Sequence, residues 1–161
     1  MPSGRVVGVF VKGDVPREVG LPKIGVGEIR LGAAGAAGDF NHYRQEHLRG
    51  DPDSAVLLLP HEIVDVLRAE GWPVGPGDLG ENLGLRGIPW HEFRSGRLVR
   101  VGDAELRLTR ECTPCSRLAH LSYVGDTRLA EFLRATLGRR GFYARVLREG
   151  SVRVGDPVDL E

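Results

Sequence analysis

One stretch decides the fold class: Leu98-Val99-Arg100-Val101-Gly102-Asp103-Ala104-Glu105-Leu106-Arg107-Leu108-Thr109. Its apolar and charged side chains alternate, so that Leu106 and Leu108 share one face and Glu105 and Arg107 share the other. Gly102-Asp103 interrupts the alternation with residues that favour a tight turn, because Gly accepts positive φ and Asp hydrogen-bonds its own backbone. The stretch therefore predicts a β-hairpin with one buried face.

The same pattern returns towards the C-terminus. The pentapeptide Val152-Arg153-Val154-Gly155-Asp156 nearly repeats Val99-Arg100-Val101-Gly102-Asp103. Alternation and turn residues predict strands at 144–147, 152–154 and 158–160, shaped for antiparallel pairing. Apolar runs predict further strands at 5–11, 25–31 and 55–59.

Helices are the minority. Pro60 opens a predicted helix at 61–70 that Gly71 ends. A second helix is predicted to start near Asp126 or Thr127 and to end before Gly138, with Leu129, Phe132, Leu133 and Leu137 on one stripe. Many short strands, frequent turns and few short helices predict a mainly β protein, a closed or nearly closed antiparallel barrel. No linker-like tract divides residues 1–161, so a single domain is expected.

Composition excludes several function classes. Lys plus Arg and Asp plus Glu each number 22, and a formal net charge of zero disfavours binding to nucleic acid or to an anionic membrane. The longest apolar runs, 6–11 and 55–59, fall far short of the ~20 residues that cross a bilayer. No targeting sequence is predicted, and two cysteines three positions apart do not make a disulfide framework. A cytoplasmic protein is expected.

The segment Arg110-Glu111-Cys112-Thr113-Pro114-Cys115-Ser116-Arg117 carries the most chemistry. It brings two thiols together with two arginines, and neighbouring positive charge favours the reactive thiolate form of cysteine. Two buried, inert cysteines are the plain alternative. A zinc site is not expected, because this is one half-site without spaced partners. A dithiol–disulfide pair and a single reactive thiolate, with the other cysteine incidental or resolving, both stay open.

Two glycine-rich loops and a polar cluster complete the candidates. Gly77-Asp78-Leu79-Gly80-Glu81-Asn82-Leu83 is predicted to be a tight polar loop, in which Glu81 and Asn82 offer an acceptor and an amide to a ligand. An ordinary turn is equally consistent with it. Residues 32–38 resemble a phosphate loop without its Lys-Ser/Thr ending and are expected to form a flexible turn. His42 and His47 follow, and single loop histidines are more often solvated than catalytic.

Eight short pieces, taken in order, carry a family resemblance. They are Gly20-Leu21-Pro22-Lys23, Gly35-x-x-Gly38-Asp39 with His42 nearby, Gly80-Glu81-Asn82-Leu83, Arg86-Gly87-Ile88, Val101-Gly102-Asp103, Pro114-Cys115-x-x-Leu118, Gly141-Phe142-Tyr143-Ala144-Arg145-Val146-Leu147 and Gly150-Ser151-Val152-x-x-Gly155-Asp156. In this order and spacing they resemble a stand-alone MOSC domain, the module named for the C-terminal part of molybdenum cofactor sulfurases.

The resemblance implies a β-barrel-like fold and a role with sulfur or the molybdenum cofactor. It implies that Cys115 carries a persulfide sulfur or ligates molybdenum, and that Glu81, Asn82 and Arg145 contact the cofactor. Arg110 and Arg117 are expected to activate Cys115 and to meet the anionic pterin. Pyridoxal phosphate binding belongs to the family description only. A cysteine desulfurase or a cofactor-biosynthesis protein is the expected donor.

Two departures from the family keep the activity open. Many members have Arg where Cys112 stands, and the family's His-Gly-Gly segment is present only as His47-Leu48-Arg49-Gly50-Asp51. A cofactor-dependent reductase and a sulfurtransferase are both consistent with the resemblance. The alternatives are a Cys112/Cys115 dithiol module in redox or thiol sensing, and a cofactor carrier without enzymatic activity.

Overall fold

A computed structural model describes residues 2–13, 21–40 and 50–161. His42 and His47 lie outside the described residues. The described ranges contain eleven strands and two α-helices. The strands are β1 Ser3–Val11, β2 Ile24–Val26, β3 Glu28–Gly32, β4 Gly35–Ala36, β5 Val56–Pro60, β6 Leu83–Arg86, β7 Leu98–Val101, β8 Ala104–Glu111, β9 Phe142–Arg148, β10 Gly150–Arg153 and β11 Pro157–Leu160. The helices are α1 His61–Ala69 and α2 Gly125–Thr136.

Seven strands close into a barrel. Their order is β11-β7-β8-β9-β5-β6-β1, and β1 pairs back to β11, so the ring has no free edge at that point. The predicted hairpin is confirmed as β7 and β8, with Val99 opposite Leu106 and Val101 opposite Ala104. A smaller sheet of β10, β3 and β4 lies beside the barrel. The predicted mainly β, barrel-like fold class is confirmed.

Several local predictions need correction. β5 and β6 pair in parallel, with Leu58 opposite Leu83, so the barrel is not wholly antiparallel. The expected strand 25–31 is two strands, β2 and β3. The three C-terminal strands do not pair with one another: β9 joins β5 and β8, β10 joins β3, and β11 joins β7 and β1. Residues 32–38 are not only a turn, because β4 pairs with β3 there.

The two helices form where the sequence predicted them. α1 places Ile63, Val64 and Leu67 inward. α2 buries Phe132 completely, whereas Leu137 lies beyond the helix end and is 69% exposed. The expected place of Leu137 on the apolar stripe is therefore wrong, because the helix stops at Thr136 before the stripe reaches it. None of the described helices is long and apolar enough to cross a membrane.

Apolar side chains form two large clusters. One fills the barrel interior, with Val6, Leu58, Leu85 and Leu106 among its members. The other lies between the helices and the barrel. Its members include Leu59, Leu67, Trp72, Leu79, Leu118 and Phe132. Each large side chain buried in this way stabilises the fold by about 1.5–3 kcal/mol. Leu79 belongs to a turn and Leu118 to a short 3-10 helix, Ser116–His120, so the second cluster also fixes segments between the strands and helices.

Candidate functional site

The two cysteines follow directly after β8 and differ in exposure. Cys112 is 3% exposed, and its N–H donates to the Gly141 carbonyl at 2.8 Å. Cys115 is half-buried and precedes a short 3-10 helix, Ser116–His120. Both are free thiols. The bond to Gly141 ties the cysteine segment to the start of β9, which brings residues 139–143 alongside the thiols.

Arg140 is a cation that contacts Cys115. Its side chain is almost wholly buried, at 6% exposure of the residue. Arg140 Nη1 lies 3.7 Å from Cys115 Sγ and 3.5 Å from the Thr113 carbonyl oxygen, and Arg140 Nε donates to the Leu79 carbonyl at 3.1 Å. Two polar anchors on different loops therefore fix the guanidinium against the thiol.

The charge state of Arg140 follows from its surroundings. Burial works against the charged form, but Cys112, Cys115 and Tyr143 outweigh it, and the pKa of Arg140 stands above its usual value. Arg140 is thus a permanent cation. A fixed positive charge beside a sulfur atom favours the thiolate, which is the nucleophilic and metal-binding form of cysteine. The arrangement can therefore hold a reactive sulfur at Cys115.

Cys112 packs against Tyr143. Its Sγ is 3.5 Å from Tyr143 Oη. Burial raises the pKa of Tyr143, and the neighbouring Cys112 raises it further, so the phenol stays neutral. The guanidinium carbon of Arg110 lies 5.3 Å from the Tyr143 ring centroid. Tyr143 therefore separates the buried Cys112 from the surface arginine that the sequence placed beside it.

Arg110 and Arg145 lie together on the outer face of the barrel with two aspartates. Arg110 bonds Ser54 Oγ and approaches Asp51 at 3.4 Å, and Arg145 Nε donates to Asp53 Oδ1 at 2.6 Å. The backbone N–H of Asp53 and the charge of Arg110 hold the pKa of Asp51 below its usual value. This outer arginine pair is thus balanced by carboxylates. The expected contacts of both arginines with a cofactor stay predictions.

Arg117 is half-buried in the short 3-10 helix that follows Cys115. The expected activation of Cys115 by Arg110 or Arg117 also stays a prediction. The geometry adds Arg140, a residue that the sequence reasoning missed. The only signal for Arg140 in the sequence is the pair Arg139-Arg140 between Gly138 and Gly141. This signal is weak, because the sequence does not show which of the two arginines points inward. Arg139 faces outward and pairs with Glu70 at 2.7 Å.

Glu81 and Asn82 are buried and bonded to the protein itself. Asn82 Nδ2 donates to the Phe10 carbonyl at 3.2 Å and to Asp39 Oδ2 at 2.9 Å, and Asn82 Oδ1 accepts from Leu57 N at 3.1 Å. These bonds join β1, β5 and the buried Lys23–Asp39 ion pair, whose closest atoms are 2.7 Å apart. Asn82 is a structural connector in this arrangement, and its expected cofactor contact stays a prediction.

Glu81 is fully buried and pairs with a histidine. Its Oε2 lies 2.7 Å from His61 Nε2 and accepts from Gly77 N at 3.1 Å. Its other oxygen, Oε1, has no hydrogen-bond partner among the described residues. The residues 77–80 form a tight turn in which Gly80 N donates to the Gly77 carbonyl at 3.2 Å. The expected loop is therefore confirmed at 77–80, whereas Leu83 already belongs to strand β6.

Metal-ligand side chains are not clustered in the part of the chain that the structure describes. No three or more His, Cys, Asp and Glu residues lie close enough there to hold a metal ion.

A family model described as "MOSC domain" matches residues 45–159. Protein YiiM of Escherichia coli (strain K12) is 28% identical over 140 residues, which cover 83% of this chain and 59% of YiiM. Protein YflK of Bacillus subtilis (strain 168) is 31% identical over 112 residues, which cover 69% of this chain and 49% of YflK. The chain thus spans only about half of the length of the curated relatives it matches.

Solved structures share the whole fold. The YuaD protein from Bacillus subtilis superposes with a TM-score of 0.80 at 20% identity, over 98% of this chain and 95% of that one. YiiM from Geobacillus stearothermophilus superposes with a TM-score of 0.73 at 26% identity, over 99% of this chain and 75% of that one. The barrel and its two helices are therefore an architecture that several bacterial proteins have in common.

Proposed function

Because the chain belongs to the MOSC domain family, we propose that Cys115 is its working thiol, which binds the molybdenum cofactor or carries sulfur as a persulfide for an acceptor. One observation carries the proposal: the buried guanidinium of Arg140 lies 3.7 Å from Cys115 Sγ. A permanent cation next to a half-buried thiol favours its thiolate form, which acts as a nucleophile or a metal ligand. An ordinary buried cysteine has no such partner.

The residues present suit the cofactor. A thiolate is the soft ligand that molybdenum accepts, and a guanidinium matches an anionic pterin phosphate through its planar fork. When bound, the cofactor supplies a redox-active metal. The chain itself would hold the metal through Cys115 and would balance negative charge through Arg140, with Arg110, Arg117 and Arg145 as further anion contacts. Each hydrogen bond between a charged arginine and the ligand would contribute about 1.5–3 kcal/mol.

The same atoms suit sulfur transfer. The Cys115 thiolate would attack the terminal sulfur of a donor persulfide, forming a new S–S bond while the donor's own S–S bond breaks and its thiolate leaves with the electron pair. Arg140 faces a negative sulfur both before and after this step, so the same charge serves thiolate and persulfide. The donor is a cysteine desulfurase or a cofactor-biosynthesis protein.

Two other functions make different demands on the thiols. A dithiol redox or thiol-sensing module would need both sulfurs to react, yet Cys112 is only 3% exposed and packs with Leu57 and Tyr143. That burial favours Cys115 as the reactive partner. A cofactor carrier without enzymatic activity would use the same contacts but would show no turnover.

Cofactor loading and persulfide formation can be measured in matched variants. The protein is co-expressed with an active cofactor pathway and analysed for molybdenum and for pterin fluorescence, and separately it is exposed to a cysteine desulfurase and weighed intact. We expect bound cofactor or one added sulfur atom in the wild type and in Cys112→Ser, and neither in Cys115→Ser. Neither signal in the wild type, or a signal that survives Cys115→Ser, would overturn the proposal.

The result also separates the alternatives. Cofactor without an added sulfur selects the binding or reductase role over sulfur transfer. A reversible mass loss of two hydrogen atoms, abolished equally by Cys112→Ser and Cys115→Ser, selects the dithiol module.

A further inference from the structure

We propose that Glu81 and His61 are positioning residues, which aim Arg140 at Cys115 through the turn at 77–80. The inference rests on the proposed function, because it takes Cys115 as the working thiol and Arg140 as its cation. It gives Glu81 a role different from the direct cofactor contact that the family resemblance implies.

The first step is the bond between the carboxylate and the turn. Glu81 Oε2 accepts from the Gly77 N–H at 3.1 Å and lies 2.7 Å from His61 Nε2. Glu81 is fully buried and His61 is 5% exposed, so water does not compete for either group. His61 stands at the start of α1, directly after β5. The carboxylate therefore fixes the first residue of the turn relative to the barrel wall and the helix.

The second step runs from the turn to the thiol. Gly80 N closes the turn on the Gly77 carbonyl at 3.2 Å, and the enclosed Leu79 is fully buried. The Leu79 carbonyl accepts from Arg140 Nε at 3.1 Å, and Arg140 Nη1 then meets Cys115 Sγ at 3.7 Å. The Leu79 carbonyl is the closest hydrogen-bond acceptor of this guanidinium, so its position sets where the cation points.

The turn at 77–80 and the His61 ring are closely packed by neighbouring groups. A Cβ on Gly77, whose φ is +85°, would lie 2.3 Å from the Lys23 carbonyl oxygen, which packs on the outer side of the turn. A Cβ on Gly84 would lie 2.4 Å from His61 Nε2. Two glycines thus provide the space that the turn and the imidazole occupy. The turn is therefore held at Gly77 by the Glu81 carboxylate and by the Lys23 N–H, which donates to the Gly77 carbonyl at 2.9 Å.

The unsatisfied oxygen of Glu81 also bears on this role. Glu81 Oε1 is buried and has no partner within the described ranges. An unpaired buried oxygen costs about 1–3 kcal/mol, which a purely structural fastening would avoid. Such costs are typical of sites where function decides the residue.

The alkylation rate of Cys115 reports whether the Arg140 guanidinium stays in contact with the Cys115 sulfur. Each folded variant reacts with iodoacetamide at neutral pH, and the modified cysteine is identified by peptide mass spectrometry. Glu81→Ala removes the carboxylate that accepts from Gly77 N. We expect the alkylation rate of Cys115 to fall roughly threefold to tenfold, towards the rate of Arg140→Met, because one charged hydrogen bond to the sulfur is weakened. Glu81→Gln keeps one acceptor oxygen and should stay within about twofold of the wild type.

Two comparisons exclude a merely structural effect. Val158→Ala removes two methyl groups from the barrel interior, so it should lower the melting temperature without slowing alkylation. Loosened packing exposes thiols and raises the alkylation rate, whereas displacement of the Arg140 guanidinium from Cys115 lowers it. The double variant Glu81→Ala/Arg140→Met should react as slowly as Arg140→Met alone, because both changes act through the same contact.

The outcomes separate this inference from the proposed function. If Arg140→Met reacts at the wild-type rate, the role of Arg140 and the positioning role are both overturned. If Arg140→Met is slow but Glu81→Ala is not, only the positioning role is overturned. Should Glu81→Ala not fold, His61→Gln takes its place: it changes the second partner of the carboxylate, and an unchanged Cys115 rate in that variant would contradict the role.

Discussion

Arg140 and Arg145 lie five positions apart, Arg140 in the loop before β9 and Arg145 in the middle of that strand, and their surroundings are opposite. Arg140 is 6% exposed and bonds two backbone carbonyls and a sulfur atom. The side chain of Arg145 is 46% exposed and pairs with Asp53, itself 43% exposed. Water and a carboxylate neutralise the outer arginine, whereas the inner one keeps its charge for the thiol.

This difference shows that nearness in sequence does not determine which arginine lies against a thiol. Arg110 is close to Cys112 along the chain, but the structure commits it to Ser54, Asp51 and the Tyr143 ring. The interaction energy of two charges rises as the surrounding dielectric falls. A buried guanidinium without a carboxylate partner among the described residues therefore acts on a neighbouring sulfur more strongly than a surface ion pair.

Replacing each arginine with methionine tests the contrast most directly. Arg140→Met leaves the Leu79 carbonyl without its buried donor and also removes the partly buried contact with the Thr113 carbonyl, and we expect the free energy of unfolding to fall by about 1–3 kcal/mol. Arg145→Met breaks an exposed pair and should cost less than about 1 kcal/mol. Urea denaturation of both variants measures the two values. Equal losses would contradict the distinction between the two regions.

Much of the barrel could be predicted from the sequence, because strand alternation is a local property. The β7–β8 hairpin and α1 form where the pattern places them. Strand β6 was hidden because Gly84 weakens its pattern and the polar Glu81 and Asn82 precede it, although the Asn82 side chain bonds backbone groups of strands β1 and β5. The partners of β9, β10 and β11 depend on closure of the whole sheet, which no turn motif encodes.

The candidate site was only half predictable. The residues after β8 identify the thiols, since a Cys-x-x-Cys segment flanked by charges is visible in the sequence. Arg140 was not visible, because its contact with Cys115 depends on the Cys112–Gly141 backbone bond and on the 77–80 turn, which join three distant segments. Such a contact arises only once the tertiary fold has formed.

The exposed Arg145–Asp53 pair and the buried Arg140 should respond differently to salt. A double-mutant cycle of Arg145→Met and Asp53→Asn should give a coupling energy of about 0.2–1 kcal/mol at low ionic strength. At about 1 M salt the Debye length shrinks to ~3 Å, so this coupling should disappear. The loss caused by Arg140→Met should persist, because its bond to the Leu79 carbonyl is buried. Persistence of the Arg145 coupling at high salt would contradict a solvent-exposed pair.

The pH dependence of stability in acid tests the outer region through Asp51, and its expected effect is the smallest. The Asp53 N–H first, and Arg110 after it, hold the pKa of Asp51 in the folded protein below 3.8, its ordinary value. A depressed folded pKa means that this carboxylate stabilises the fold above about pH 4 and that the stabilisation is lost as the pH falls through the folded value. The stability difference between wild type and Asp51→Asn should be constant from about pH 7 to pH 5 and should shrink below pH 4.

The pH series separates the two regions because only one of them titrates in acid. Asp65, whose pKa Arg86 also lowers, is present in wild type and Asp51→Asn alike and cancels from their difference. The pKa of Arg140 is raised, so its charge is the same at pH 3 as at pH 7, and the part of the Arg140→Met loss that comes from its bond to the buried Leu79 carbonyl should persist across that interval. Urea titrations of the three proteins at each pH provide the measurement. A difference for Asp51→Asn that grew as the pH fell would mean that Arg110 and Asp51 are not held together in the folded protein.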